Sequence, residues 1–261
     1  MRHLIIGAGV VGTATGVWLK ANNEKVIFND LKPETLKKLK NKGFDVTSNI
    51  KDTKVDIYWI CTAEWNTEDV LKNISKINDD PVIAIRSTLP PGSTVKLSKK
   101  YKIKHIAHIP EFLRAKTAIQ DIFDKDRVVI GVNDKKTKEK LQKAFNSTTV
   151  PAIFTDSTTS EMIKYASNCW LASQISYWNE IKKLCDKLKV NPQMVANAAT
   201  LDRRISKYGT AMLGEPYAGF CFPKDMKALI KAFEEKKIEP IFLKAVVKLN
   251  NSLKKEKIDE V

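Results

Sequence analysis

Short apolar segments alternate with amphipathic segments through roughly the first 155 residues of this 261-residue chain. The short segments are rich in valine and isoleucine and end at turn residues, which is typical of buried strands. Strands are predicted at 3–6, 25–29, 56–61, 82–86, 105–108 and 127–132, with helices at 11–22, 33–42, 67–76, 93–100 and 136–145. Strands that alternate with helices predict a doubly wound, largely parallel Rossmann-type α/β sheet over residues 1–154.

The pattern changes after Thr155, where a helical period replaces the alternation. Thr158 and Glu161 have the spacing of a capping box and predict the start of a helix of some 30 residues that ends near Lys189. Further helices are predicted at 192–200, 224–236 and 240–255. Residues 155–261 are expected to form an all-helical domain, and a helix this long and aromatic predicts packing against a second copy in a homodimer.

The composition narrows the functional classes. The chain has 45 Lys+Arg and 30 Asp+Glu, a net charge of +15, but its lysines are scattered rather than interleaved with aromatics, which favours a solvated surface over a nucleic-acid partner. No apolar run approaches a membrane span and the N-terminal run is too short for a signal peptide, so we expect a soluble, cytoplasmic protein. Four cysteines without C-x-x-C spacing predict free thiols and no metal site.

A glycine motif, Gly7-Ala8-Gly9-Val10-Val11-Gly12, follows the first predicted strand. Its first glycine permits a tight turn, its second allows close approach to a pyrophosphate, and its third allows close helix packing. Asp30 ends the second strand, where a carboxylate bonds ribose hydroxyls and disfavours a 2′-phosphate. The combination predicts NAD rather than an unrelated glycine-rich turn, although Lys32 leaves NADP open. The expected contacts are Gly7, Gly9, Val10, Val11, Gly12 and Asp30.

The loops after the predicted strands 56–61 and 82–86 should meet at the carboxyl edge of the sheet, beside the cofactor. They place Cys61, Thr62, Ser87 and Thr88 there. The Thr88 hydroxyl can hold a water or a substrate oxygen, although such a residue is more often a helix cap. Cys61 is more simply interpreted as a small buried apolar residue than as a reactive thiol.

Candidate catalytic residues lie mostly in the second half of the chain. Lys164 and Asn168 are four residues apart, so an ammonium and an amide would share one helix face and could bind an oxyanion; a lysine that reaches solvent is the alternative. Cys221 is predicted in a loop just before a helix, where a thiolate is stabilised. Asp225 would be a cap or a base, and Glu111 is a carboxylate in a proline turn.

Several segments in one order resemble the UDP-glucose/GDP-mannose 6-dehydrogenase family. They are residues 109–131, 160–181, 202–205 and 220–229, together with the glycine motif and Ser87-Thr88. The resemblance implies that NAD oxidises the C6 alcohol of a nucleotide sugar twice, through an aldehyde, to a carboxylate. It also implies that Cys221 attacks the aldehyde and that water hydrolyses the resulting thioester.

The resemblance implies a role for each candidate residue. Lys164 and Asn168 would stabilise oxyanions, Asp225 and Thr88 would activate water, and Glu111 would act in acid/base steps of thioester hydrolysis. The substrate would also contact Phe112, Leu113 and Arg204, with Arg204 reaching a sugar or phosphate across a dimer.

The chain departs from the family pattern at Ile109, Ser206 and Phe220, and the bulky Phe220 would narrow the sugar pocket. A third, nucleotide-binding domain of the family has no counterpart in these 261 residues, so a separate chain or partner subunit would supply that surface. Alternatives are a smaller substrate, a non-catalytic NAD-binding subunit, or a β-hydroxyacid-type dehydrogenase that transfers one hydride and does not need Cys221.

Overall fold

A computed structural model describes residues 1–51, 53–77 and 81–259, with side chains up to Lys255. The chain divides into two compact units, Met1–Lys164 and Tyr165–Val261. The domain boundary expected after residue 154 lies ten residues before this division. A helix, Ser157–Leu188, begins just after the expected boundary and continues from one unit into the other.

The first unit is built on one sheet. Its strands, among the described residues, are β1 (Arg2–Ile6), β2 (Lys25–Asn29), β3 (Asp45–Val46), β4 (Ile57–Ile60), β5 (Val82–Ile85), β6 (Ile106–His108), β7 (Val128–Val132) and β8 (Ala152–Thr155). They lie in the order β3-β2-β1-β4-β5-β6-β7-β8. Every neighbouring pair is parallel except β6 and β7. The doubly wound, largely parallel sheet is thus confirmed.

Helices cover both faces of this sheet. They are α1 (Val10–Ala21), α2 (Pro33–Asn41), α3 (Glu64–Ile74), α4 (Ser93–Tyr101), α5 (Ala118–Phe123), α6 (Lys135–Ala144) and the first turns of α7 (Ser157–Leu188). Side chains of β4 alternate between two apolar clusters: Ile57 and Trp59 belong to one, Tyr58 and Ile60 to the other. A sheet buried on both faces leaves its carboxyl edge for binding.

The starts of two helices of the first unit differ from the sequence prediction. The helix α3 begins at Glu64, three residues earlier than expected. The capping box is wrong, because Asp156 accepts hydrogen bonds from the backbone N–H and the hydroxyl of Thr159, whereas the side chain of Glu161 binds residues of α4. The long helix itself is confirmed as Ser157–Leu188.

All regular secondary structure in the described residues of the second unit is helical, as predicted. It contains the rest of α7, then α8 (Pro192–Ala199), a short 3-10 helix (Tyr208–Met212), α9 (Cys221–Glu235) and α10 (Ile241–Asp259). Its core joins α7, α9 and α10 through Tyr165, Ile175, Met226 and Val246. None of the described helices combines the length and the apolar character needed to cross a bilayer.

Candidate active site

The glycine turn between β1 and α1 has no room for larger side chains at two of its positions. A Cβ on Gly7 would lie 2.8 Å from the carbonyl oxygen of Cys61, and one on Gly12 would lie 1.9 Å from the carbonyl oxygen of Gly7. A Cβ on Gly9 would meet nothing within 4 Å. Gly9 is the N-cap residue of α1 and has no side chain that could bond the first N–H groups of this helix. These groups therefore stay available to an anion.

Asp30 lies directly after β2 and is held against this turn. Its carboxylate accepts hydrogen bonds from the backbone N–H of Ala8 at 2.8 Å and of Lys32 at 2.9 Å. Each carboxylate oxygen has a second lone pair, so the group retains capacity for two further donors. This is the arrangement that ribose hydroxyls require beside a pyrophosphate site.

The loops after β4 and β5 are joined at the same edge of the sheet. The Ser87 hydroxyl donates a hydrogen bond of 2.7 Å to the carbonyl oxygen of Thr62, and Thr88 follows as a half-buried residue. Burial raises the pKa of the Cys61 thiol to about 12. Cys61 is therefore a protonated, unreactive thiol at neutral pH, in agreement with its interpretation as a small apolar residue.

Lys164 is buried near the start of α7 and is paired with Glu111. Its Nζ donates 2.6 Å to the carbonyl oxygen of Glu111 and lies 3.0 Å from Oε1 of the same residue. The other carboxylate oxygen of Glu111 accepts from the N–H of Leu113 at 2.7 Å, and the Phe112 ring centroid is 5.4 Å from Nζ. Lys164 is thus fixed inside the first unit, and the alternative of a lysine reaching solvent is wrong.

A second polar cluster lies in the second unit around Asp225, whose side chain is almost fully buried. The Nδ2 of Asn168 donates 2.6 Å to one carboxylate oxygen, and the Nζ of Lys224 donates 2.6 Å to the other. The lysine balances the buried charge and the carboxylate fixes the orientation of the amide. Asn168 and Lys164 are both buried on α7 with the predicted spacing of four residues.

Cys221 is the first residue of α9 and its side chain is exposed. The expectation that it lies in a loop before the helix is wrong: the helix extends to Cys221 because Pro223 is tolerated in a first turn. Cys169 has different surroundings from Cys221: burial and the nearby charge of Asp225 raise the pKa of the Cys169 thiol to about 12. Cys221 lacks this burial, since its side chain is exposed at the start of α9.

The other residues expected to bind the substrate lie at separate places. Phe112 and Leu113 follow Glu111 in the first unit, where the guanidinium carbon of Arg127 lies 4.3 Å from the Phe112 ring centroid. Arg204 is exposed in the second unit and forms a two-point ion pair with Asp202, with Nη2 2.6 Å from Oδ2. Phe220, beside Cys221, is 64% exposed.

Two candidate functional residues were not identified from the sequence. Lys224 received no role from the sequence, but its ammonium binds Asp225. Glu161 was assigned to a local cap, but it is fully buried and bonded to residues 67 and 69 positions away. Only its position three residues before Lys164, on the same helix face, could have indicated a role in the site.

Two family models match consecutive parts of the chain. The NAD binding domain of the UDP-glucose/GDP-mannose dehydrogenase family matches residues 51–149, and the central domain of the same family matches residues 158–252. A ketopantoate reductase PanE/ApbA model also matches residues 3–85. UDP-glucose 6-dehydrogenase YwqF of Bacillus subtilis is 32% identical over 100% of this chain and 68% of its own length.

The chain belongs to the UDP-glucose/GDP-mannose dehydrogenase family. It is an NAD-dependent oxidoreductase, and the glycine turn, the free start of α1 and Asp30 fit the pyrophosphate and ribose of this cofactor. A UDP-glucose 6-dehydrogenase of Rickettsia conorii is 38% identical over 73% of this chain and 45% of its own length.

Solved structures of the family share the fold. A UDP-glucose dehydrogenase from Pyrobaculum islandicum matches with a TM-score of 0.89 and 25% identity over 97% of this chain and 68% of that one. A Mycobacterium tuberculosis 3-hydroxyisobutyrate dehydrogenase matches with a TM-score of 0.79 and 14% identity over 97% of this chain and 94% of that one, which shows the fold alone.

Proposed function

We propose that the protein oxidises the C6 alcohol of a nucleotide sugar to a carboxylate in two NAD-dependent steps, with Cys221 forming the covalent intermediates. The observation that carries the proposal is the exposed thiol at the first residue of α9, a helix of 15 residues. Membership of the family supports the nucleotide-sugar class of substrate, since the named relatives are UDP-glucose 6-dehydrogenases.

Residues of the first unit would hold the cofactor. When bound, NAD accepts one hydride from the substrate carbon in each oxidation. The glycine turn and the start of α1 would bind its pyrophosphate, and the Asp30 carboxylate would accept hydrogen bonds from its ribose. The proposed contacts are Gly7, Gly9, Val10, Val11, Gly12, Asp30, Cys61, Thr62, Ser87 and Thr88.

Cys221 would act after the first oxidation. Its thiolate adds to the aldehyde carbon, a C–S bond forms, and the carbonyl electron pair moves to the oxygen, where Lys164 and Asn168 stabilise the negative charge. Loss of a hydride from the same carbon then gives a thioester. Water attacks this carbon, the C–S bond breaks, and the Cys221 thiolate is regenerated as the carboxylate product leaves.

Three further residues would handle protons and water. We propose that Glu111 serves in the acid/base steps of thioester hydrolysis, while Asp225 and Thr88 help to activate the water. The support is that Glu111 is already bonded to Lys164 and that Asp225 fixes the amide of Asn168. Phe112, Leu113 and Arg204 would contact the sugar nucleotide.

A homodimer is proposed through the exposed face of α7. Four large side chains share this face at intervals of seven, seven and four residues and are 56–63% exposed: Trp170, Tyr177, Leu184 and Leu188. A contiguous apolar helical stripe of this kind is typical of a protein interface. Arg204 would then be available to the site of the second copy.

Variants of two cysteines test the catalytic proposal. The protein is mixed with NAD and a panel of UDP- and GDP-sugars, and NADH formation is followed by absorbance. Wild type and Cys185→Ala, a buried cysteine far along the chain from Cys221, should both form NADH. Cys221→Ser should lower turnover by about 10³-fold or more, as loss of a nucleophile does.

Two results would contradict the proposal in different ways. Absence of NADH with every sugar in the wild type would remove the proposed activity. Unchanged turnover in Cys221→Ser, with one NADH per substrate, would indicate the two-electron β-hydroxyacid type of reaction instead.

A further inference from the structure

Glu161 is a buried carboxylate that the proposed mechanism does not use. It lies in the second turn of α7 and has no exposed surface. Its two oxygens accept hydrogen bonds from the backbone N–H of Gly92 at 2.5 Å, the backbone N–H of Thr94 at 2.8 Å and the Thr94 hydroxyl at 2.6 Å. Three donors at the start of α4 therefore depend on a side chain from another helix.

Helix stability alone does not account for this arrangement. A serine or aspartate next to the helix could cap α4 locally, as Asp134 caps α6, without burying a charge. Burial instead raises the pKa of Glu161, which means that the ionised form is disfavoured by desolvation in spite of its three donors. Burying the Glu161 carboxylate costs free energy, and the residues that it binds are remote in sequence. The arrangement is therefore better explained by the relative position of two segments that it fixes than by helix stability.

The α4 end of this contact belongs to the loop that carries Thr88. The loop leaves β5 after Ile85 and ends at Gly92, whose φ of +88° favours glycine. Since Gly92 and Thr94 are the residues bonded by Glu161, the carboxylate fixes the far end of the loop. Its near end is fixed by Ser87, which donates to Thr62.

The α7 end of the contact belongs to the turn that carries Lys164. Glu161 precedes Lys164 by three residues, so both side chains leave one face of the helix. Ser160 adds a further link, because its hydroxyl donates 3.0 Å to the carbonyl oxygen of His108 at the end of β6. This part of α7 is thereby bonded to two loop segments and one strand end at the carboxyl edge of the sheet.

We infer that Glu161 is a positioning residue that holds the loop carrying Thr88 at a defined distance from the turn of α7 carrying Lys164. The inference rests on the proposed function, in which these two residues act on the same reacting carbon. Loss of the carboxylate should therefore lower kcat far more than the affinity for NAD, because the glycine turn and Asp30, which would hold the pyrophosphate and ribose, are bonded to each other and not to Glu161.

The variant Glu161→Gln tests this role. Glutamine has one acceptor oxygen where glutamate has two, so it cannot bind both Gly92 and Thr94 in the same way. We expect kcat to fall by about 10- to 100-fold, as sub-ångström to ångström misplacement of catalytic groups does. NAD affinity, measured by NADH fluorescence titration, should change much less than kcat.

A matched variant separates positioning from capping. Asp134 accepts a hydrogen bond of 2.9 Å from the N–H of Thr137 and caps α6. Asp134→Ala, which removes this cap, should lower Tm as Glu161→Gln does, but kcat should be unchanged. An equal fall of kcat in both variants, or an unchanged kcat in Glu161→Gln, would overturn the inference.

A double-mutant cycle with Thr88→Ala gives a second, independent readout. If Glu161 acts through the position of Thr88, its replacement should cost much less kcat once the Thr88 hydroxyl is gone. Fully additive losses would show that Glu161 acts elsewhere and would overturn the inference.

Hydrogen exchange keeps the inference testable without activity. The amides of Gly92 and Thr94 should exchange about tenfold faster or more in Glu161→Gln than in the wild type, whereas exchange in α6 should be unchanged. If the wild type forms no NADH, the proposed function fails and exchange alone decides: faster exchange confined to this loop supports the link, and unchanged exchange overturns it.

Discussion

At the scale of single residues, three buried or half-buried carboxylates, two in the first unit and one in the second, have both of their oxygens engaged. Glu111 binds Lys164 and Leu113, Asp225 binds Asn168 and Lys224, and Glu161 binds Gly92 and Thr94. A carboxylate with both oxygens bonded holds its donors in fixed positions. Replacement by the amide therefore alters the partners as well as the charge.

His108 provides a prediction at this scale. Its ring is fully buried at the end of β6, and its Nδ1 is 2.9 Å from the Ser160 hydroxyl. Burial, aided by the charges of Arg86 and Lys164, lowers the pKa of His108 to about 3. Between pH ~6.5 and about 3 the unfolded chain binds a proton here that the folded protein does not.

The free energy of unfolding should consequently fall as the pH is lowered through this window, by up to about 1.4 kcal/mol per pH unit from this residue. His108→Asn, which keeps a donor for Ser160, should remove that contribution and flatten the dependence. Denaturant unfolding at a series of pH values from 7 to 4 measures it. The same slope in variant and wild type would show that His108 does not control the acid sensitivity.

At the scale of elements, the start of α7 packs on β7 without space for a side chain. A Cβ on Gly131 would lie 2.5 Å from the Cβ of Ser160, 2.8 Å from the Cα of Ser157 and 2.9 Å from the carbonyl oxygen of Asp156. Gly131→Ala should therefore lower the free energy of unfolding by about 1–3 kcal/mol, the usual cost of overpacking.

Gly9→Ala is the matched control for that experiment, because its Cβ would meet nothing within 4 Å. It should unfold like the wild type in denaturant, while its added methyl would face the proposed pyrophosphate site. Equal stability of Gly131→Ala and the wild type would show that α7 can move away from β7 at little cost.

Helices and strands with a strong local sequence signal were predicted from the sequence. The helix α2 (Pro33–Asn41) agrees with the predicted 33–42: it begins with Pro33 and is followed by Gly43 at a φ of +75°, residues that favour a helix start and a helix end. In contrast, β3 has only two residues, and β8 is a four-residue, partly exposed strand that directly follows Pro151, so neither was predicted. The short helix α5 was missed for a similar reason, since six residues provide less than two turns of periodicity.

Hydrogen bonds between candidate residues that lie far apart in the sequence could not be predicted. The motifs indicated Lys164, Asn168 and Cys221; the structure places the first two on α7 with the expected spacing, and Cys221 at the first residue of α9 rather than in a loop before it. They did not indicate that Lys164 pairs with Glu111 or that Asp225 binds Asn168, because those partners are separated by 53 and 57 residues. Which side chains form hydrogen bonds across such a separation in sequence depends on the packing of the whole unit.

At the scale of the whole molecule, the exposed stripe on α7 predicts an association of two copies. Tyr177→Glu combined with Leu184→Glu should give a monomer, because two charges would be buried in the interface. Ile119→Glu, at an exposed apolar residue of α5, should leave the mass unchanged. Sedimentation equilibrium measures the outcome, and a monomeric wild type or a dimeric double variant would contradict the proposed interface.

The central claim is a four-electron oxidation of a sugar alcohol through Cys221, and the stoichiometry of NADH tests it most directly. A limiting amount of each nucleotide sugar is converted to completion with excess NAD, and the NADH formed is compared with the sugar consumed. With one nucleotide sugar of the panel, two NADH per sugar and a carboxylate product are expected. One NADH per substrate, or none with any sugar, would contradict it.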